Sequence, residues 1–189
     1  AHWSPAKQEH QVLAEGYDQL YGIAVSSTGV AVFAEKGTGC IHSVHTGLTE
    51  TLARDLQGPC GVCFSEDHCL VSEEDAGRVV RLTQGGVDTV LDDLQKPQGI
   101  LVRDNMLYVV DTGAKELIQF DMVSNSRQVI ATDLPVGAPP GVVPKFLDAI
   151  GVLSGPMGPF ADITGGKNGV LYVSADAEGS VLEITPNQH

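Results

Sequence analysis

The chain has 189 residues, 42% of them hydrophobic and 19% charged, which fits one globular domain with a sizeable core and excludes a disordered chain. Its formal net charge of −13 repels phosphate backbones and anionic lipid, so nucleic-acid and membrane partners are not expected. No run approaches the roughly 18 apolar residues of a membrane span and no basic-then-apolar leader opens the sequence, so a soluble chain is expected, secreted and periplasmic locations included.

In chain order, residues 10–19 (HQVLAEGYDQ) read as a strand with its exit loop, standing ahead of the first complete unit. That unit begins at YGIAVSSTGVAVFA (21–34), an apolar strand, a polar turn and a second apolar strand. It continues through AEKGTGCIHSV (34–44), a turn and an alternating third strand, and closes with TETLARDLQGP (49–59), a fourth strand and its loop. The same order recurs in CGVCFSEDHCLVS (60–72), SEEDAGRVVRL (72–82) and VDTVLDDLQKP (87–97). It recurs again in QGILVRDNMLYVV (98–110), VDTGAKELIQF (110–120) and RQVIATDLPVG (127–137). A last copy, ADITGGKNGVLYVS (161–174) with SADAEGSVLEI (174–184), has no fourth strand.

The second position of the third-strand segments holds Glu35, Glu73, Asp111 and Ala175, spaced by 38, 38 and 64 residues. Equal spacing with matching flanks marks an internal repeat, and the last step carries an insertion at 136–160. Period-2 alternation dominates and helical periodicity is nearly absent. Turns such as Asp104-Asn105 and Asn168-Gly169 suit the positive φ of hairpins. A repeat of about 38 residues with four short antiparallel strands is a β-propeller blade, so the fold class is all-β. Four units allow a closed small ring, part of a six- to eight-bladed propeller, or two copies joined as a homo-oligomer. The low count tilts the reading to the latter two. The strand at 10–19 is expected to complete the last blade and remove an exposed edge.

Within this frame, Asp111-Thr112-Gly113 is not half of an aspartic-protease dyad. Such a site needs two carboxylates on equivalent loops, and the equivalents are Glu35-Lys36-Gly37, Glu73-Glu74-Asp75 and Ala175-Asp176-Ala177. The repeat-turn acids Glu35, Glu73 and Asp111 are therefore expected to be structural. Cys60 and Cys63 form a C-x-x-C, but positions i and i+3 of a strand point to opposite faces about 10 Å apart. Buried strand cysteines are expected. His42 and His45 read as surface histidines of a third strand, away from the axis.

The pattern formed by Pro97, Gly99, Ile100, Leu107-Tyr108-Val109, Asp111, Gly113 and Leu117 resembles the NHL-repeat propellers. Pro59, Gly61 and Val62 carry it in the second unit, and Leu171-Tyr172-Val173 in the fourth. The wider group holds gluconolactonase-like hydrolases, streptogramin-lyase-like enzymes and binding modules. The resemblance implies ligands at the axis where the inner strands begin, at Tyr21, Cys60, Gln98 and Asp162 or its neighbour. Of these, Gln98 and Asp162 could hold a divalent cation, although calcium wants six to eight oxygens.

The insertion VGAPPGVVPKFLDAIGVLSGPMGPF should share the face of the Glu35, Glu73 and Asp111 turns, and PKFLDAIGVL could form a short helix. Phe146 and Met157 are its candidate anchors for a small-molecule or protein partner. Three functions follow as expectations. One is a binding scaffold acting through that face; another is a metal-dependent lactonase-like or streptogramin-lyase-like enzyme with its site at the axis; the third is a structural or assembly role through unpaired edge strands.

Overall fold

The computed structural model describes residues 11–138 and 160–186. Among these described residues lie fifteen strands and one short 3-10 turn, Lys167–Gly169. The first sheet is β1 (Leu20–Val25), β2 (Ala31–Glu35), β3 (Cys40–His45) and β4 (Leu48–Ala53). The second is β5 (Pro59–Ser65), β6 (His68–Glu73), β7 (Arg78–Thr83) and β8 (Gly86–Leu91). The third is β9 (Pro97–Arg103), β10 (Met106–Asp111), β11 (Glu116–Asp121) and β12 (Ser126–Ala131). The fourth has three strands, β13 (Ile163–Gly165), β14 (Leu171–Ala175) and β15 (Ser180–Ile184). Each sheet is an antiparallel meander in sequence order, as blades of a propeller are.

Alternation along each strand sends one set of side chains to each neighbouring blade. Three apolar layers result. Val32, Ala34 and Ile41 meet Val62, Val71 and Val80 between the first two blades. Leu70 and Val79 meet Ile100, Leu107, Val109 and Ile118 between the next two. Val110 and Leu117 meet Ile163, Leu171 and Val173 between the last two. Each fully buried Val or Leu contributes about 1.5–3 kcal/mol relative to exposure. Among the described residues no such layer joins the fourth blade to the first, and Ile23, Val25 and Val181 stay exposed.

The 38-residue spacing has a concrete cause in the crossing segments that link one blade's outer strand to the next blade's inner strand. Leu56, Leu94 and Leu134 each plug the core and donate their N–H to the carbonyl of Gly39, Gly77 or Lys115 in the preceding blade's second turn, at 3.0 Å each. Asp55, Asp93 and Asp133, with φ of 61°, 54° and 55°, bend the chain into each plug, a conformation that Asp tolerates. One residue after each of the first two leucines, the segment binds the turn acid of the blade it enters. Gln57 N donates to Glu73 Oε1 at 2.8 Å, and Gln95 N to Asp111 Oδ2 at 2.8 Å. Asp111 also accepts from the N–H groups of Lys96, Gly113 and Ala114. In the first blade Asp18 N donates to Glu35 Oε1 at 2.7 Å. The fourth blade has Ala175 at this position, and Asp176 accepts from Gly137 N at 2.9 Å instead. The turn acids are therefore stitches between blades.

The sequence expectation for residues 10–19 needs correction. Residues 11–17 contain no strand, so they do not complete the fourth blade. Asp18 and Gln19 instead take the part of a crossing segment, bonding Glu35 and the Lys36 N–H, which explains why their sequence matches the other crossing segments.

Candidate functional site

Register fixes which residues ring the axis. Leu20, Pro59 and Pro97 pair with Glu35, Glu73 and Asp111, so Tyr21, Cys60 and Gln98 occupy equivalent places at the start of the inner strands. The inner strands then approach closely. A Cβ on Gly61 would collide with the Gln98 carbonyl oxygen, and one on Gly99 would lie 2.7 Å from the Asp162 Cα. Asp162 itself stands where the other blades carry this glycine, and Ala161 is the strict counterpart of Gln98.

The residue after each turn acid projects over the same end of the propeller: Lys36, Glu74, Thr112 and Asp176. Lys36 and Glu74, from neighbouring blades, form an ion pair between Nζ and Oε2. The Cys60 thiol donates to Glu74 Oε2 at 3.3 Å, and the Lys96 ammonium lies 3.9 Å from Oε1. The Lys36 ammonium sits 4.9 Å from the centroid of the Tyr21 ring, and Tyr21 packs edge-on against Phe160 with centroids 5.4 Å apart. Burial alone lowers the Lys36 pKa, but the hydrogen bond to Glu74 and its charge oppose this, with Cys60 and Tyr21 adding negative charge only once they ionise, and the pKa is held above the usual lysine value. Burial pushes the Cys60 thiol up, and the Glu74 charge adds to this against the opposing pull of Lys36. Cys60 is thus a protonated hydrogen-bond donor rather than a thiolate nucleophile.

Phe160 leads out of the insertion, whose entry is also described. Lys115 Nζ donates to the carbonyl oxygens of Val136 and Ala138 at 2.6 and 3.3 Å, and Gly137 binds Asp176. Both ends of the insertion therefore leave from the face of the second turns. Phe146 and Met157 lie outside the described residues, as does the helix expected at PKFLDAIGVL.

Gln98 is buried, and its Oε1 accepts the Ala161 N–H at 2.8 Å. Asp162 remains exposed; its Oδ1 accepts the Ile163 N–H at 2.9 Å, and partial desolvation raises its pKa against that bond. Tyr21 and Cys60 join the cluster around Lys36. Glu35, Glu73 and Asp111 are buried stitches, as above. All four cysteines are buried and free, as the strand reading expects.

His42 corrects the sequence reading: it is buried, whereas His45 is exposed. Its Nε2 lies 2.8 Å from Glu35 Oε2, and Tyr17 and Phe33 flank its ring. Alternation places His42 on the face opposite Ile41, and the N-terminal segment covers it through Tyr17. The Lys36–Glu74–Cys60 cluster was missed as well. Opposite charges at the position after the turn acid in consecutive units were the available signal. A cleft of about 310 Å³, lined by His68, Arg81, Phe120 and Met122 among others, lies at the other end of the second and third blades and shares no residue with the axis cluster.

The sequence matches no family model and no curated protein. Solved structures do match. A catalytically inactive variant of virginiamycin B lyase from Staphylococcus aureus with quinupristin aligns at a TM-score of 0.61 and 16% identity, over 95% of this chain and 59% of that one. The chain has a β-propeller fold. A putative gluconolactonase matches this propeller at TM-score 0.61 and 13% identity, over 98% of this chain and 83% of that one. A chain of the nidogen/laminin complex matches it at 0.60 and 19%, over 88% and 76%. The propeller spans little more than half the length of the lyases, 55% of the streptogramin B lyase chain for example. Among the described residues no helix is long and apolar enough to cross a membrane.

Proposed function

We propose that this propeller is a binding scaffold whose ligand, a small molecule or a protein segment, docks on the face of the second turns, over the axis cluster and against the insertion. One observation carries the reading. Lys36, Glu74, Lys96, Cys60 and Tyr21, drawn from separate blades and their crossing segments, converge where both ends of the insertion emerge. In a chain of net charge −13, the exposed Lys96 offers an anionic or carbonyl group a cation at that mouth, and Tyr21 with Phe160 offers an aromatic wall. The protonated Cys60 and the internally bonded Gln98 and Asp162 favour recognition over turnover.

The alternative is an enzyme of the lyase or lactonase type, with a divalent cation near Asp162 and Gln98; the names of the structural neighbours support it. One experiment separates the two. The protein is screened by thermal shift and by mass spectrometry of the recovered compound against aryl lactones and cyclic depsipeptides, with and without Mg²⁺ and Ca²⁺. The scaffold reading expects binding without chemical change, weakened by Lys96→Ala. Cation-dependent ring opening that disappears in Asp162→Asn would overturn it.

A further inference from the structure

On the outward face of the first blade, Glu35, Cys40 and His42 are all buried, and each offers a donor atom within 4.8 Å of the other two. The strands fix this arrangement. Glu35 and Cys40 are paired partners across the β2–β3 turn, and Cys40 and His42, two apart on β3, share one face. The second shell is also in place: Glu35 Oε1 is anchored by the Asp18 N–H at 2.7 Å, and His42 Nδ1 lies 3.2 Å from Thr51 Oγ1.

This donor set belongs to the first unit alone. Register places Arg78, Glu116 and Ser180 at the Cys40 position, and Val80, Ile118 and Leu182 at the His42 position. Val80 and Ile118 pack onto the preceding blade there. In the second blade Glu73 is neutralised by Arg78, whose Nε donates at 2.6 Å, so a histidine partner for Glu35 alone would be an ordinary substitute. Cys40 is not needed for that role; its thiol makes only a long 3.6 Å contact to the Thr38 carbonyl oxygen.

We propose that Glu35, Cys40 and His42 bind one zinc(II) ion, with water as the fourth ligand. Zn–N and Zn–S bonds of about 2.0–2.3 Å set donor separations of about 3.3–3.6 Å in a tetrahedron, a small opening of the present Glu35–His42 contact. Coordination releases the Cys40 thiol proton to solvent. It also moves the imidazole proton from Nε2 to Nδ1, where it donates to Thr51 Oγ1, so the ion replaces a proton at constant ligand number. The metal would pin the Asp18 segment to the first blade. This site is separate from the axis cluster, and its failure leaves the scaffold reading untouched.

The test uses the full 189-residue chain, stripped by chelator and titrated with cobalt(II), then zinc(II). The expected result is one cobalt per chain, with thiolate charge-transfer and four-coordinate d–d absorption, displaced by zinc. Affinity should rise about tenfold per pH unit, reflecting the one proton released. Cys40→Ser abolishes the charge-transfer band. Thr51→Val, with unchanged far-UV circular dichroism, keeps the band but weakens zinc binding about 10–100-fold. No charge-transfer band in the wild-type chain overturns the proposal, as does a band that survives Cys40→Ser and so belongs to Cys60, Cys63 or Cys69.

Discussion

Asp111→Asn tests whether the turn acids hold the blades together. The Asp111 carboxylate accepts four backbone N–H groups, at 2.8 Å from Gln95 and Lys96, 3.1 Å from Gly113 and 3.2 Å from Ala114. Asparagine offers one oxygen in place of two. Its amide oxygen can keep the three bonds now made to Oδ1, which leaves its NH2 facing the Gln95 N–H. One charge-assisted bond, worth about 1.5–3 kcal/mol, is lost, the others weaken, and a donor is left unpaired in a site that is 1% exposed. The expected cost is about 3 kcal/mol, and Asp111→Ala should cost about 4–5 kcal/mol, having no acceptor at all. For a chain of this size that is a fall in Tm of about 6–12 °C for the asparagine variant. Urea unfolding followed by far-UV circular dichroism, with the m-value checked, measures it directly. A change below about 0.5 kcal/mol refutes the stitch. Loss of an activity at unchanged stability would restore a chemical role for Asp111.

Four other outcomes follow. Gly61→Ala drives a methyl into the Gln98 carbonyl oxygen of the next inner strand and should cost about 3 kcal/mol in the same urea assay; Gly85→Ala, with open space around it, should cost under about 1 kcal/mol. Glu74→Gln strands Lys36 and should lower stability by about 2 kcal/mol, part of which Lys36→Met recovers in the double variant; additive losses would contradict the pair. Burial raises the thiols of Cys60 and Cys63 and pushes Cys69 from 9.0 up to about 12. The unfolded chain therefore releases these protons first, so stability is complete below about pH 9 and falls as pH rises toward 12, by about 1.4 kcal/mol per unit per thiol; a flat alkaline profile, or no shallower slope in Cys69→Ser, counts against it. Exposed Ile23, Val25 and Val181, on blade faces that no apolar layer of the described residues covers, predict self-association, read by light scattering as a mass rising above 19.9 kDa with concentration; a strict monomer at high concentration contradicts that.

The fold was legible because the repeat is written twice over, in the alternation of each strand and in the equal spacing of Glu35, Glu73 and Asp111. Position in the repeat also identified these acids as structural, although only coordinates show that each reaches back to a crossing segment about 16 residues earlier in sequence. The strand expected at 10–19 failed because the sequence likeness there reflects the crossing segment that follows each fourth strand, as at Asp55-Leu56, Asp93-Leu94 and Asp133-Leu134, and Asp18-Gln19 take the part of such a segment. His42 was misread because alternation says which face a residue takes, not what covers that face, and Tyr17 comes from outside the repeat. The axis cluster depends on contacts between and within units, Lys36 with Glu74 and Glu74 with Cys60, which only the aligned repeats hint at, through the opposite charges of Lys36 and Glu74. Register aligns Gln98 with Ala161 rather than Asp162, and only the Gln98 bond is set by the close approach of neighbouring blades; Asp162 accepts from the Ile163 N–H of its own strand.

Crossing segments and turn acids form the frame that joins the blades. Native-state hydrogen exchange measures this most directly, at the amides of Leu56, Gln57, Leu94, Gln95, Lys96 and Leu134. These lie outside every strand, yet all donate to the carbonyls or carboxylates named above. The account predicts protection comparable to that of the β6 and β10 amides, with opening only on global unfolding. Exchange of these six amides at free-loop rates, while β6 and β10 stay protected, would contradict it.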